Sequence, residues 1–128
     1  MNTMIRPCLI VLLMLSAVNA QKMPGASVYA KVNSTATIEL PVSANYRRLV
    51  YNNKNVEEEH LFRVCNGKNQ KTCGFWENVK TKKKVASGAT NYNKNKKALV
   101  IKKIRITDFG EYLTGNKKQS KFVMNQTW

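Results

Sequence analysis

Acids, histidines and cysteines are scarce in this chain. Against 22 Lys and Arg stand seven Asp and Glu, with one histidine and three cysteines in 128 residues. A single histidine, His60, excludes the paired-histidine acid–base arrangement of many secreted ribonucleases. With two cysteines it cannot complete a four-ligand zinc site, and there is no CxxC. There is also no HExxH, no GxSxG and no glycine-rich phosphate loop. A pair of carboxylates for glycoside chemistry would have to come from Glu39, Glu77, Asp108 and Glu111. The run Glu57, Glu58 and Glu59 reads as an exposed, solvated acidic stretch. This inventory points away from an enzyme and calls for neither metal nor cofactor.

Long apolar runs are missing after residue 20, and helical periodicity is almost absent there. The first 20 residues differ. Arg6 precedes an apolar run from Cys8 to Leu15, and small residues end at Ala20, which are the three parts of a secretory signal. The run is well short of the roughly 20 apolar residues that span a bilayer. Cleavage is therefore expected after Ala20, leaving residues 21–128 as one domain without a transmembrane segment, secreted and extracellular. Cys8 leaves with the signal. Removing Arg6 takes the formal charge from +15 to +14. A charge of that size attracts polyanions at long range. Outside the cell, sulfated glycans, anionic lipid headgroups and acidic proteins become the expected counterparts, and nucleic acid does not.

Short alternating apolar segments recur between Asn, Gly, Ser and Lys clusters, the pattern of a sandwich or barrel of many short strands. Strands are expected at 27–32 with Val28, Ala30 and Val32 on one side. In 35–41, Ala36, Ile38 and Leu40 face inward and Thr37 and Glu39 outward. Segment 47–52 carries Leu49 and Tyr51 on one face. Segments 60–65 and 74–79 flank a loop with the turn signal Asn66-Gly67. Segment 98–106 is the strongest strand, and 110–114 and 121–125 complete about eight, with Phe122 and Met124 facing in. The polar stretch 80–97 reads as a mobile loop or as a pair of edge strands whose lysines discourage strand addition, and the edge strands are favoured.

The stretch Leu99-Val-Ile101-Lys-Lys-Ile104-Arg-Ile-Thr-Asp108-Phe-Gly110-Glu-Tyr112 carries six typed positions. Leu99 and Ile101 sit two apart and share a face of a strand. This spacing resembles the L-x-I-x-x-I-x-x-x-D-x-G-x-Y signature of immunoglobulin domains of the V or I set. The resemblance implies that Ile104 plugs the end of the core, that Asp108 and Gly110 shape the turn, and that Tyr112 returns its hydroxyl to that turn's backbone. The approach from Val32 to Leu40 and the segment from Leu49 resemble the strands upstream. The resemblance implies an all-β, antiparallel Greek-key sandwich. A more distant, fibronectin-type sandwich stays open, because the family's cysteine positions hold Leu40 and Thr114 and its tryptophan position is read as Tyr51. The usual inter-sheet disulfide is thus absent.

Cys65 and Cys73 remain as an even pair in an oxidising compartment and are expected to form a disulfide. Asn33 and Asn125 head N-x-S/T acceptors for glycosylation. Lys80, Lys82, Lys83 and Lys84 form one cluster and Lys94, Lys96 and Lys97 another, read either as solubilising lysines or as a polyanion-binding site. Phe75 and Trp76 are either core residues or an exposed protein-binding tip beside the disulfide. The resemblance implies a binding or recognition protein whose partner is an extracellular or cell-surface protein. A matrix protein that binds heparan-like glycan and a cationic host-defence protein or toxin are the alternatives. The latter is disfavoured because no cationic amphipathic helix is visible.

Overall fold

The computed structural model describes Met23–Pro24 and residues 27–128. The expected signal and its cleavage point lie outside the described residues. Ten strands, numbered in chain order, form two sheets. The larger holds β1 (Met23–Pro24), β2 (Val28–Ala30), β4 (Asn45–Tyr51), β5 (Glu57–Arg63), β6 (Trp76–Asn78), β9 (Gly110–Thr114) and β10 (Gln119–Asn125). The smaller holds β3 (Ala36–Glu39), β7 (Ala89–Asn93) and β8 (Ala98–Lys102). One 3-10 turn, Ile106–Asp108, leads from β8 into β9.

The orders are β1-β10-β9-β4-β5-β6, with β2 also beside β10, and β3-β8-β7. Pairing is antiparallel except for β1 and β2, which each run parallel to β10. The chain crosses between sheets after β2, β3, β6 and β8, and β5 and β6 extend the larger sheet. This is the arrangement of a variable-type immunoglobulin sandwich.

The core follows from alternation where the sequence alternates cleanly. Ala36 and Ile38 of β3 are buried and Thr37 and Glu39 exposed, while Ile101 and Leu99 of β8 lie beside the buried pair in the same sheet. Strand β8 ends at Lys102, short of the expected Ile106, because Lys103 takes a left-handed backbone angle of φ 53°. The bend delivers Ile104 into the core, where its N–H donates to the Ser34 carbonyl at 3.0 Å. Of the two edge strands expected in 80–97, β7 forms, and the other is reduced to one bridge between Lys84 and Glu77.

Leu40 and Thr114 are buried at the positions the usual cysteines would take, and the Thr114 hydroxyl meets Asn116 Oδ1 at 2.7 Å. Other contacts tie the sheets. Tyr46 of β4 stacks on Tyr92 of β7 with ring centroids 5.3 Å apart, and the Tyr92 hydroxyl donates to the Leu40 carbonyl. Trp76 of β6 donates from Nε1 to Thr90 Oγ1 of β7 at 3.0 Å.

The phase of two strands differs from the sequence reading. In β4 the inward set is Tyr46, Arg48 and Val50, while Leu49 is half-buried on the outer face and Tyr51 is exposed. Tyr51 therefore does not fill the tryptophan position; Tyr46 is the inward aromatic beside Thr114. In β10, Val123 is buried, while Phe122 and Met124 are on the outer face. Val32 lies beyond β2 and is exposed. In both misread strands apolar residues of the outer face, Leu49 and Tyr51 or Phe122 and Met124, stand beside a long cation of the inner face, Arg48 or Lys121, so hydrophobicity alone selects the wrong face.

Candidate functional site

The outer face of the larger sheet is built by strand register. Leu61, Arg47, Leu113 and Ser120 lie in one row across β5, β4, β9 and β10. Glu59, Leu49, Glu111 and Phe122 lie in the next row. Met124 lies opposite Tyr29 of β2, and Tyr29 in turn meets Trp128 at 5.4 Å between ring centroids. Phe122 is 37%, Met124 44% and Tyr29 53% exposed. The charges on this face are largely cancelled within it. Arg47 Nη1 meets Glu59 Oε2 at 2.7 Å, Lys117 Nζ meets the same oxygen at 3.3 Å, and Arg63 Nη1 meets Glu77 Oε1 at 2.8 Å. Burial works to raise the Glu59 pKa, but its bonds to Arg47 and Lys117 outweigh it and hold the group below its ordinary value. The bond from Arg63 does the same for Glu77.

Beneath this face lies a buried polar chain that sequence reasoning missed. Arg48 enters the core with its guanidinium carbon 4.3 Å from the Trp76 ring centroid. Its Nη1 donates to Asp108 Oδ1 and to the Tyr112 hydroxyl, each at 2.9 Å, and its Nε donates to His60 Nδ1 at 3.0 Å. The Tyr112 hydroxyl donates to the Asp108 carbonyl, which makes the tyrosine corner. Burial pushes the Tyr112 phenol up to about 12. Asp108 Oδ2 accepts from the backbone N–H of Gly88 at 2.9 Å and of Arg105 at 2.8 Å. The carboxylate thus joins β4 to two inter-strand connections.

His60 is 2% exposed. Because Nδ1 accepts from Arg48, its proton sits on Nε2 and is donated to Glu58 Oε1 at 2.9 Å. Burial lowers the His60 pKa below its ordinary value, and the Arg48 charge adds to that against the opposing pull of Glu58. The hydrogen bond from His60 holds Glu58 low, assisted by Asn52. Glu58 and Glu59 therefore form part of β5 with fixed partners and are not a solvated run, while Glu57 is exposed. Both ring nitrogens of His60 are committed to structural partners, which leaves neither for proton transfer.

Cys65 and Cys73 form a disulfide, with Cα atoms 5.0 Å apart, between the end of β5 and the start of β6. Trp76 is no protein-binding tip; it is buried against Phe62 and Tyr112 because β6 turns it inward. Phe75 is half-buried, with Lys84 Nζ 5.3 Å from its ring centroid. Lys94, Lys96 and Lys97 occupy the β7–β8 turn, whereas Lys80, Lys82 and Lys83 are in the connection that reaches β7 at the opposite end, where Ala89 pairs with Lys102. The lysine clusters thus do not form one patch along β7. Asn33 is exposed in the β2–β3 turn with φ 73°, and Asn125 is half-buried at the end of β10. Among the described residues no group of three or more His, Cys, Asp and Glu is placed to hold a metal ion. No helix among them is long and apolar enough to cross a membrane.

No family model and no curated protein matches the chain. Among solved structures it is similar to the extracellular domain of the voltage-gated sodium channel beta4 subunit, described as parallel homodimers with a role in cell-cell adhesion. The identity is 15% over 80% of this chain and 85% of the other, with a TM-score of 0.41. The strand order, the two-sheet register and the tyrosine corner give the chain the fold of an immunoglobulin-like β-sandwich.

Proposed function

We propose that this is a secreted, non-enzymatic recognition domain that binds an extracellular or cell-surface protein through the outer face of its larger sheet. The observation that carries the reading is the set of apolar side chains on this face, Leu49, Leu61, Phe122, Met124 and Tyr29, interspersed with Arg47, Glu59 and Glu111, of which Arg47 and Glu59 are paired with each other. Exposed aromatic and methionine side chains are enriched at protein interfaces. A solvated sheet face with no partner would instead carry polar residues at these alternate positions. Rigid strands also hold such a surface without the ordering cost that a loop-borne site carries on binding.

The sequence motifs of catalysis are missing, and the one histidine is spent on Arg48 and Glu58. The face is also less basic than the rest of the chain, so a partner need not be a polyanion. The test is an unbiased screen of the secreted chain against extracellular and membrane-protein ectodomains. A partner whose binding persists at high salt supports the reading, because apolar contacts resist screening. Capture only by polyanions, lost as salt rises, would overturn it.

A further inference from the structure

A second surface lies at the end of the sandwich where β4 turns into β5. Four connections gather there, 31–35, 52–56, 79–88 and 103–109. They are tied by the Asn33 N–H to the Ile104 carbonyl at 2.8 Å, and by Gly88 to Asp108 at 2.9 Å. The pairing of Val50 with Gly110 and the Val79 N–H bond to the Glu59 carbonyl bring the other two to the same end. Lys54, Lys80, Lys82, Lys83, Lys103 and Arg105 are all exposed on these connections. The nearby acids are turned elsewhere: Asp108 is buried on Arg48, and Glu58 is held by His60 and Asn52, leaving Glu57 exposed. Exposed apolar side chains stand on these connections and just beyond β10. Val56 is 54%, Ile106 59% and Trp128, just past β10, 70% exposed.

We infer that this end docks on an anionic phospholipid surface. Lysines and Arg105 meet the headgroup phosphates, and Val56, Ile106 and Trp128 enter the interfacial layer. Cations alone fit any polyanion, but a sulfated glycan offers nothing to exposed apolar tips, whereas a lipid interface takes up both kinds of group. The same combination that an amphipathic helix presents along one face is delivered here by loops from separate strands. The two surfaces adjoin where Trp128 meets Tyr29 of the outer sheet face, and the lysine variants and V56S/I106S, which leave that face intact, separate one from the other.

The experiment uses the secreted chain with vesicles of phosphatidylcholine plus phosphatidylserine, against vesicles of phosphatidylcholine alone. The chain should sediment with the mixed vesicles only. The fluorescence of Trp128 should shift to the blue on binding, since Trp76, the other tryptophan, is already buried. Each of K82Q, K103Q and R105Q should lower the partition coefficient about fivefold. The double variant V56S/I106S should retain its circular dichroism, bind more weakly and lose the blue shift. Equal binding to both vesicle types, or binding unchanged in all these variants, would overturn the inference. So would absent vesicle binding with heparin retention equal in wild type and V56S/I106S, which would assign this end to a polyanionic glycan.

Discussion

Arg48 Nε donates to His60 Nδ1 across 3.0 Å, with both side chains almost closed to water. A charged residue at an inward strand position and a neutral histidine thus complete each other. The guanidinium spends its remaining contacts on Asp108 and Tyr112, so one side chain of β4 holds the corner that the β8–β9 motif builds. The pair also fixes the imidazole tautomer that lets Glu58 accept from the other nitrogen.

Acidification should therefore destabilise the fold before most carboxylates titrate. His60 in the folded chain has a pKa below its unfolded value of 6.5. The unfolded state then binds more protons in this window, so stability is full above about pH 6.5 and is lost as pH falls toward the folded pKa. Protonation at Nδ1 would also set two donors against each other. Urea unfolding at a series of pH values measures this, and H60Q should flatten the dependence just below His60's unfolded value of 6.5. An unchanged slope in H60Q would contradict the assignment.

Replacing Arg48 by Leu should cost about 3–5 kcal/mol, because it leaves the Asp108 carboxylate buried without its cation. Converting Asp108 to Asn in the same background should recover part of the loss. Chemical denaturation of the two single variants and the double variant gives the coupling directly.

Tyr112→Phe removes one hydroxyl that both donates to the Asp108 carbonyl and accepts from Arg48. A loss of about 1–3 kcal/mol is expected, since two buried groups are left short of a partner. A neutral result in thermal or urea melts would count against the corner as a stabilising element.

Replacing Cys65 and Cys73 together by Ser should lower stability by about 2–3 kcal/mol, the range the chain-entropy relation gives for a short loop. The bridge lies within the larger sheet, so the two sheets should stay joined through Tyr46–Tyr92 and Trp76–Thr90. Near-ultraviolet circular dichroism of the double variant should therefore keep its aromatic signal.

The sequence was most legible where each residue has one physical task. The stretch from Leu99 to Tyr112 names its strand, its bend and its corner, and β3 alternates without ambiguity. Legibility failed in β4 and β10, where the outer face carries Leu49, Tyr51, Phe122 and Met124 and the inner face carries Arg48 and Lys121. Binary patterning assigns the apolar set inward, and here that rule is broken on both sides of the same sheet. Such breaks concentrate at functional or strained sites. Arg48 and Asp108 did leave a signal: a turn aspartate with a core position needs a cation, and Arg48 alternates with Tyr46 and Val50. His60 left none, because its partners come from register that only the folded sheet supplies.

The most direct test of the recognition face is the affinity of the partner found by the ectodomain screen for wild type and for F122D/M124D. Phe122 and Met124 are partly exposed, so the double variant should fold, as its melting curve will report. Binding should weaken by at least roughly 30-fold, the size of loss that marks central interface residues. K82Q/K103Q, altered on the connections and not on the sheet face, should bind that partner as wild type does. Undiminished affinity in F122D/M124D would contradict the account.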